Sequence, residues 1–123
     1  MVITKIIVID DEESIRVLLQ KILERVGHSV EVASNGNIGL EIQRKNPADL
    51  IITDLFMPEK EGLETIIELH RDFPEVKIVA MSGGDRKGNM DFLGLTENLG
   101  AHRTLKKPFT MNDVVEAVDS LFR

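Results

Sequence analysis

The sequence predicts an α/β domain, a doubly wound (βα)5 unit built on one five-stranded parallel sheet. Three observations lead there. Short apolar runs alternate with longer segments of three-and-four hydrophobic spacing, five times over. The run Leu50-Ile51-Ile52-Thr53 has no polar alternation, as suits a central strand covered on both faces. Strict alternation with helical crossovers makes the strands parallel.

The elements follow in order. Lys5 to Ile9 (KIIVI) is a buried strand, ending in the acidic cluster Asp10-Asp11-Glu12-Glu13. A helix follows, with Ile15, Leu18, Leu19, Ile22, Leu23 and Val26 as its core stripe and Gly27 as a left-handed stop. Ser29 to Ala33 alternates, with Val30 and Val32 on one face, and suits an edge strand. Asn35-Gly36 reads as a turn, and Ile38 to Arg44 as a helix on a thin stripe, Ile38 and Ile42. The central strand, Leu50 to Thr53, then delivers Asp54 at its carboxyl end. Pro58 and Glu59-Lys60-Glu61 show the chain leaving the sheet. Leu63, Ile66, Ile67 and His70 mark a third helix, stopped before Pro74. Val76 to Met81 is a strand ending in Ser82, and Gly83 to Gly88 is a polar loop. Met90 to Leu99 reads as a fourth helix capped by Gly100, and Arg103 to Lys106 as a short strand leading to Lys107-Pro108. Thr110 or Asn112 caps the last helix, which turns Val114, Val115, Val118, Leu121 and Phe122 inward.

Composition excludes several classes. A chain of 123 residues is one domain, 1–123, with no output domain expected. The net charge of −6 argues against nucleic-acid contact, which needs a basic face. The absence of cysteine removes disulfides and thiolate metal sites. No signal-peptide layout or membrane-spanning run is present, so a cytoplasmic location is expected, with no membrane partner.

Parallel strands all point one way, so Asp10 and Asp11, Asp54, Ser82 and Lys107 should meet on one sheet edge. In open α/β sheets ligands gather at that edge. At about 4 Å and an effective dielectric near 20, each like-charged pair costs on the order of 4 kcal/mol. A hard divalent cation offsets this, and Mg²⁺ suits one or two carboxylates with waters and a phosphate oxygen. Lys107 adds a positive charge and Ser82 a hydroxyl donor. Carboxylate nucleophile, metal, lysine and hydroxyl are the parts of phosphoryl chemistry. Each residue alone has a plainer reading: Asp11 as a helix cap, Ser82 as a turn former, Lys107-Pro108 as a solvated turn. That plainer reading would have to hold independently at four strand ends. It is kept for His28, His70 and His102, which lack metal-ligand spacing, and for Met57, Met81 and Met90 as packing residues.

With these residues in place the chain resembles a response-regulator receiver domain of the chemotaxis-regulator type. The resemblance rests on Asp10-Asp11, Asp54 with Met57-Pro58 and Gly62, Ser82, and Lys107-Pro108-Phe109, and it covers the whole chain. It implies a flavodoxin-like sheet of order 2-1-3-4-5. It implies that Asp54 accepts a phosphoryl group from the phosphohistidine of a sensor histidine kinase or phosphotransfer protein. Asp11, Asp54 and the backbone carbonyl of Phe56 would bind Mg²⁺, with Asp10 acting through water. Lys107, before a cis peptide bond to Pro108, would contact the phosphoryl oxygens. Ser82 would swing towards them, drawing the Gly83–Gly88 loop with it. The last two helices and the fifth strand would form the face that meets a downstream protein. The molecule would be a monomer or a phosphorylation-dependent dimer, and a signalling protein rather than an enzyme.

Three features depart from the family pattern. Ser82 stands where Thr is frequent, Gly83-Gly84 replaces the usual Ala, and Thr104 replaces the usual aromatic switch residue. An aromatic rotamer flip therefore cannot report phosphorylation at Thr104. Phe56 is expected to shield the acyl phosphate from water. Competing readings are a haloacid-dehalogenase phosphatase, an FMN carrier and a receiver working without phosphorylation. The first lacks its second acid, since Leu55-Phe56-Met57 follows Asp54, and the second would need a phosphate loop where Asp10-Asp11-Glu12-Glu13 stands. The complete set of acidic, hydroxyl and lysine groups argues against the third. For output, a phosphorelay intermediate or the receiver of a larger regulator are the alternatives.

Overall fold

The computed structural model describes residues 4–55, 62–83 and 100–122. Strands β1 (Lys5–Ile9), β2 (Ser29–Ala33), β3 (Leu50–Asp54), β4 (Lys77–Gly83) and β5 (Arg103–Lys107) form one parallel sheet in the order β2-β1-β3-β4-β5. Four helices are described: α1 (Glu13–Arg25), α2 (Gly36–Lys45), α3 (Gly62–Asp72) and the C-terminal α4 (Met111–Ser120). The helix expected over Met90–Leu99 and the loop from Gly84 to Gly88 lie outside the described residues, as do Phe56, Met57 and Pro58.

Side chains of a strand alternate between faces, and here both faces are covered, so both sets are apolar. Ile7, Ile9, Ile51, Ile78 and Ala80 pack with Leu40, Ile66 and Leu69 of α2 and α3. Ile6, Val8, Ile52, Val79 and Met81 pack with Leu19, Leu23, Val114 and Val118 of α1 and α4. β3 is buried along its whole length, and β2 lies at the sheet edge.

Helix ends follow local chemistry. Gly27 at φ 103° closes α1, with the His28 N–H donating to Leu23 and the Gly27 N–H to Glu24. Thr110 begins α4 in a reciprocal cap with Asp113.

The structure corrects several expectations. Asn35 is not a turn residue: its side chain accepts the Ile38 N–H, and α2 starts at Gly36. Ile38 faces solvent, while Gly39 and Leu40 face the sheet. A Cβ at Gly39 would lie 2.3 Å from Ile9 Cδ1, so the close helix approach there rests on a residue no apolar stripe reveals. Leu18 and Ile67 are exposed as well, because the buried arcs centre on Leu19-Ile22-Leu23 and Ile66-Leu69. β4 and β5 run further than expected, making Ser82 and Lys107 strand residues. Glu12, not Asp11, is the N-cap residue of α1.

Candidate functional site

The carboxyl ends of β1, β3 and β5 bring the acids and the lysine together. Asp10 follows β1 directly and is fully buried. Each of its carboxylate oxygens has a partner: Oδ1 accepts the Glu12 N–H at 2.9 Å and Oδ2 accepts Lys107 Nζ at 2.9 Å. Asp54 is the last residue of β3, opposite Met81 of β4, and is 3 % exposed. Its Oδ1 accepts the Leu55 N–H at 3.0 Å and lies 3.5 Å from Lys107 Nζ. Asp11 is exposed. One carboxylate oxygen from each of Asp10, Asp11 and Asp54 lies within 4.8 Å of the others.

Lys107 is the cation of this group. Burial alone would lower the pKa of its ammonium. The hydrogen bond to Asp10 and the charges of Asp54, Asp10 and Glu12 outweigh burial and hold the pKa above its ordinary value. The peptide bond from Lys107 to Pro108 is cis. Ser82 is buried on β4, one residue beyond the partner of Asp54, and its hydroxyl donates to the Gly83 carbonyl at 3.2 Å.

The backbone around Asp54 is tightly placed. The Gly62 N–H donates to the Leu55 carbonyl at 2.9 Å, drawing the start of α3 onto the end of β3. A Cβ at Gly62 would lie 2.0 Å from the Asp54 carbonyl oxygen and 2.6 Å from Leu55 Cα. Only glycine permits that approach.

Two contributors are not evident from the sequence pattern. Glu12 Oε1 lies 3.6 Å from Lys107 Nζ. Arg16 donates to the Asp10 carbonyl at 2.7 Å and ties α1 to the end of β1. Arg16 lies within the first turn and a half of α1, close enough in sequence to the acids to have been a candidate. Glu12 stands in the acidic run Asp10-Asp11-Glu12-Glu13, but only the fold shows which of those acids reaches Lys107.

Asp10, Asp54 and Glu12 thus face one lysine ammonium, and Asp11 joins Asp10 and Asp54 in the acid cluster beside it. Such an excess of hard oxygen ligands, two of them on buried residues, fits a divalent cation of the Mg²⁺ type. The histidines His28 and His102 lie elsewhere and serve the fold. His28 Nδ1 accepts the Thr4 N–H and His102 Nδ1 the Ile78 N–H, both at 3.1 Å, towards the amino ends of β1 and β4.

Comparison with known proteins agrees with this fold. Residues 6–119 match the family model described as the response regulator receiver domain, and the chain belongs to that family of two-component signalling proteins. It is 36% identical to the alkaline phosphatase synthesis transcriptional regulatory protein PhoP of Bacillus subtilis, over 97% of this chain and 48% of PhoP. It therefore spans about half the length of that relative. It is 28% identical to sporulation initiation phosphotransferase F of Bacillus subtilis, over 93% of this chain and 90% of the relative. Among solved structures, a response regulator receiver domain protein from Clostridium thermocellum superposes with a TM-score of 0.87 at 32% identity, covering 96% of this chain and 93% of that one. Phosphoryl acceptance is implied by the family. The phosphatase and flavin-carrier readings belong to other families.

Proposed function

We propose that this receiver takes a phosphoryl group on Asp54 from the phosphohistidine of a sensor histidine kinase or phosphotransfer protein. The observation that carries the reading is the position of Lys107 Nζ, 3.5 Å from Asp54 Oδ1 and bonded to Asp10, beside a three-acid cluster. One Asp54 oxygen attacks phosphorus. The new O–P bond forms as the donor N–P bond breaks, and the bonding pair leaves on the donor imidazole nitrogen.

Asp10, Asp11 and Asp54 are the residues that would hold Mg²⁺, joined by the Phe56 carbonyl, which lies outside the described residues. When bound, the cation neutralises charge on the acids and on the transferring group. The protein's part is positioning. The bond from the Leu55 N–H orients the Asp54 carboxylate, Lys107 offers its ammonium to a phosphoryl oxygen, and Arg16 holds the Asp10 turn in place. Ser82 would exchange its bond to Gly83 for one to the phosphoryl group. Movement of that hydroxyl would carry the state of the site to β5, α4 and the downstream partner, with no enzyme turnover of an outside substrate. We read residues 1–123 as one receiver unit, acting in the cytoplasm.

The test is labelling with radioactive acetyl phosphate and Mg²⁺, expected on the wild type and absent from Asp54→Asn. Acid-stable, base-labile label persisting on that variant overturns the assignment.

A further inference from the structure

The helix start at Glu12 is an unusual one. Its backbone is that of an N-cap residue, extended at φ −93° and ψ 117°, with its carbonyl accepting the Ile15 and Arg16 N–H groups. Ser, Thr, Asp and Asn are preferred there because a short side chain bonds back to the first turn. The Glu12 side chain makes no such bond. It reaches the other way, to 3.6 Å from Lys107 Nζ.

Three carboxylates therefore share that ammonium, and they differ in exposure. The Asp10 side chain is 0% exposed and that of Asp54 4%, while that of Glu12 is 56%. Glu12 is the partner on the solvent side. The Glu12 carboxylate puts its negative charge beside Lys107 where solvent reaches the pair.

We infer that Glu12 is a rim gate: it holds Lys107 in the unphosphorylated protein, must release it to the arriving phosphoryl group, and selects against free dianionic donors by charge. The inference rests on the assignment of Asp54 and Lys107 to phosphoryl transfer. Glu12 acts through Lys107 and through its field, not by touching the reacting atoms, and is a positioning residue. A donor presented by a protein partner can bring a cation to meet Glu12. A small free phosphate compound cannot.

The experiment compares the wild type, Glu12→Gln and Glu12→Asp as full chains with saturating Mg²⁺. One readout is the affinity for methylphosphonate, which is unreactive and dianionic at a pH above its second ionisation, followed by amide chemical shifts. The other is the rate of labelling by acetyl phosphate. Exposed ion pairs are weak, so Glu12→Gln is expected to tighten methylphosphonate binding and speed labelling by about two- to fivefold at low salt. Both gains should shrink at high salt, because screening acts on exposed charges. Glu12→Asp keeps the charge and should stay nearer the wild type than Glu12→Gln does. A loss of packing or helix stability would not show that salt dependence. Unchanged or weaker methylphosphonate binding by Glu12→Gln at low salt overturns the gate. If methylphosphonate binding responds to Glu12 but the wild type is never labelled, the charge effect of Glu12 on anion binding is real, but the phosphoacceptor assignment falls and the gate with it. If Asp54 is labelled and neither readout responds to Glu12, the gate falls and the phosphoacceptor assignment stands.

Discussion

Lys107 Nζ donates to Asp10 Oδ2 at 2.9 Å, closing a contact between residues 97 positions apart in the chain. It joins the end of β1 to the end of β5 across the two strands that separate them in the sheet. The pair is almost wholly out of water, so neither member can lose the other cheaply.

Lys107→Ala leaves buried Asp10 beside Asp54 without the shared cation. The expected loss in metal-free buffer is about 2–4 kcal/mol, below the full figure for a broken buried pair because the lysine keeps some solvent contact. Urea unfolding with chelator, repeated with Mg²⁺, checks this; the loss should be smaller with the cation present. The same variant should still take up phosphate from acetyl phosphate, but bind its downstream partner poorly.

Mg²⁺ should stabilise the wild type. At a hundredfold excess over its dissociation constant the gain is about 2.7 kcal/mol if unfolded chain binds none. Asp11 is the exposed acid of the cluster, so Asp11→Asn should fold normally yet lose most of that gain. Thermal melts with Mg²⁺ and with chelator give the comparison, and a full Mg²⁺ shift in the variant would exclude Asp11 as a ligand.

Gly62→Ala should damage the site without touching a charged group. Its Cβ would meet backbone at Asp54 and Leu55, which cannot rotate away as a side chain could. Overpacking of this kind costs typically 1–3 kcal/mol, and about the top of that range or beyond is expected here. Urea unfolding measures the cost, and acetyl phosphate labelling should fall with it as the Asp54 carbonyl shifts.

His28 and His102 make stability depend on acid. Burial lowers the pKa of His28, against the pull of Asp119. Burial also lowers that of His102, helped by Lys77, His70 and Arg103. Each Nδ1 accepts a backbone N–H, which a protonated imidazole cannot do. The unfolded chain therefore binds more protons than the folded one below the ordinary histidine pKa. Stability is full above about 6.5 and falls as the pH drops below it, by at most about 1.4 kcal/mol per pH unit for each histidine. Urea midpoints between about pH 7.5 and 5 should show this, with a shallower slope in His28→Asn and in His102→Asn.

Much of the architecture was legible because its signals are local. The unbroken apolar runs at Ile6–Ile9 and Leu50–Ile52 announce two-sided burial, and Gly27 and Thr110 announce helix ends. Where helix stripes misled, at Leu18, Ile38 and Ile67, the buried arc was set by which neighbour lay opposite. Gly39 shows the reason: α2 approaches β1 so closely that a glycine, not an isoleucine, occupies the contact.

The sequence by itself determined the order of the strands and of the described helices and named Asp10, Asp11, Asp54, Ser82 and Lys107, because strand ends and residue types are written locally. The tertiary structure alone decided that Lys107 rests on Asp10 while lying near Asp54, that Glu12 leans over that lysine, and that Arg16 and Gly62 brace the two acid-bearing turns. Those relations depend on rotamers and on the spacing of strands remote in the chain, and short-range periodicity carries no information about either.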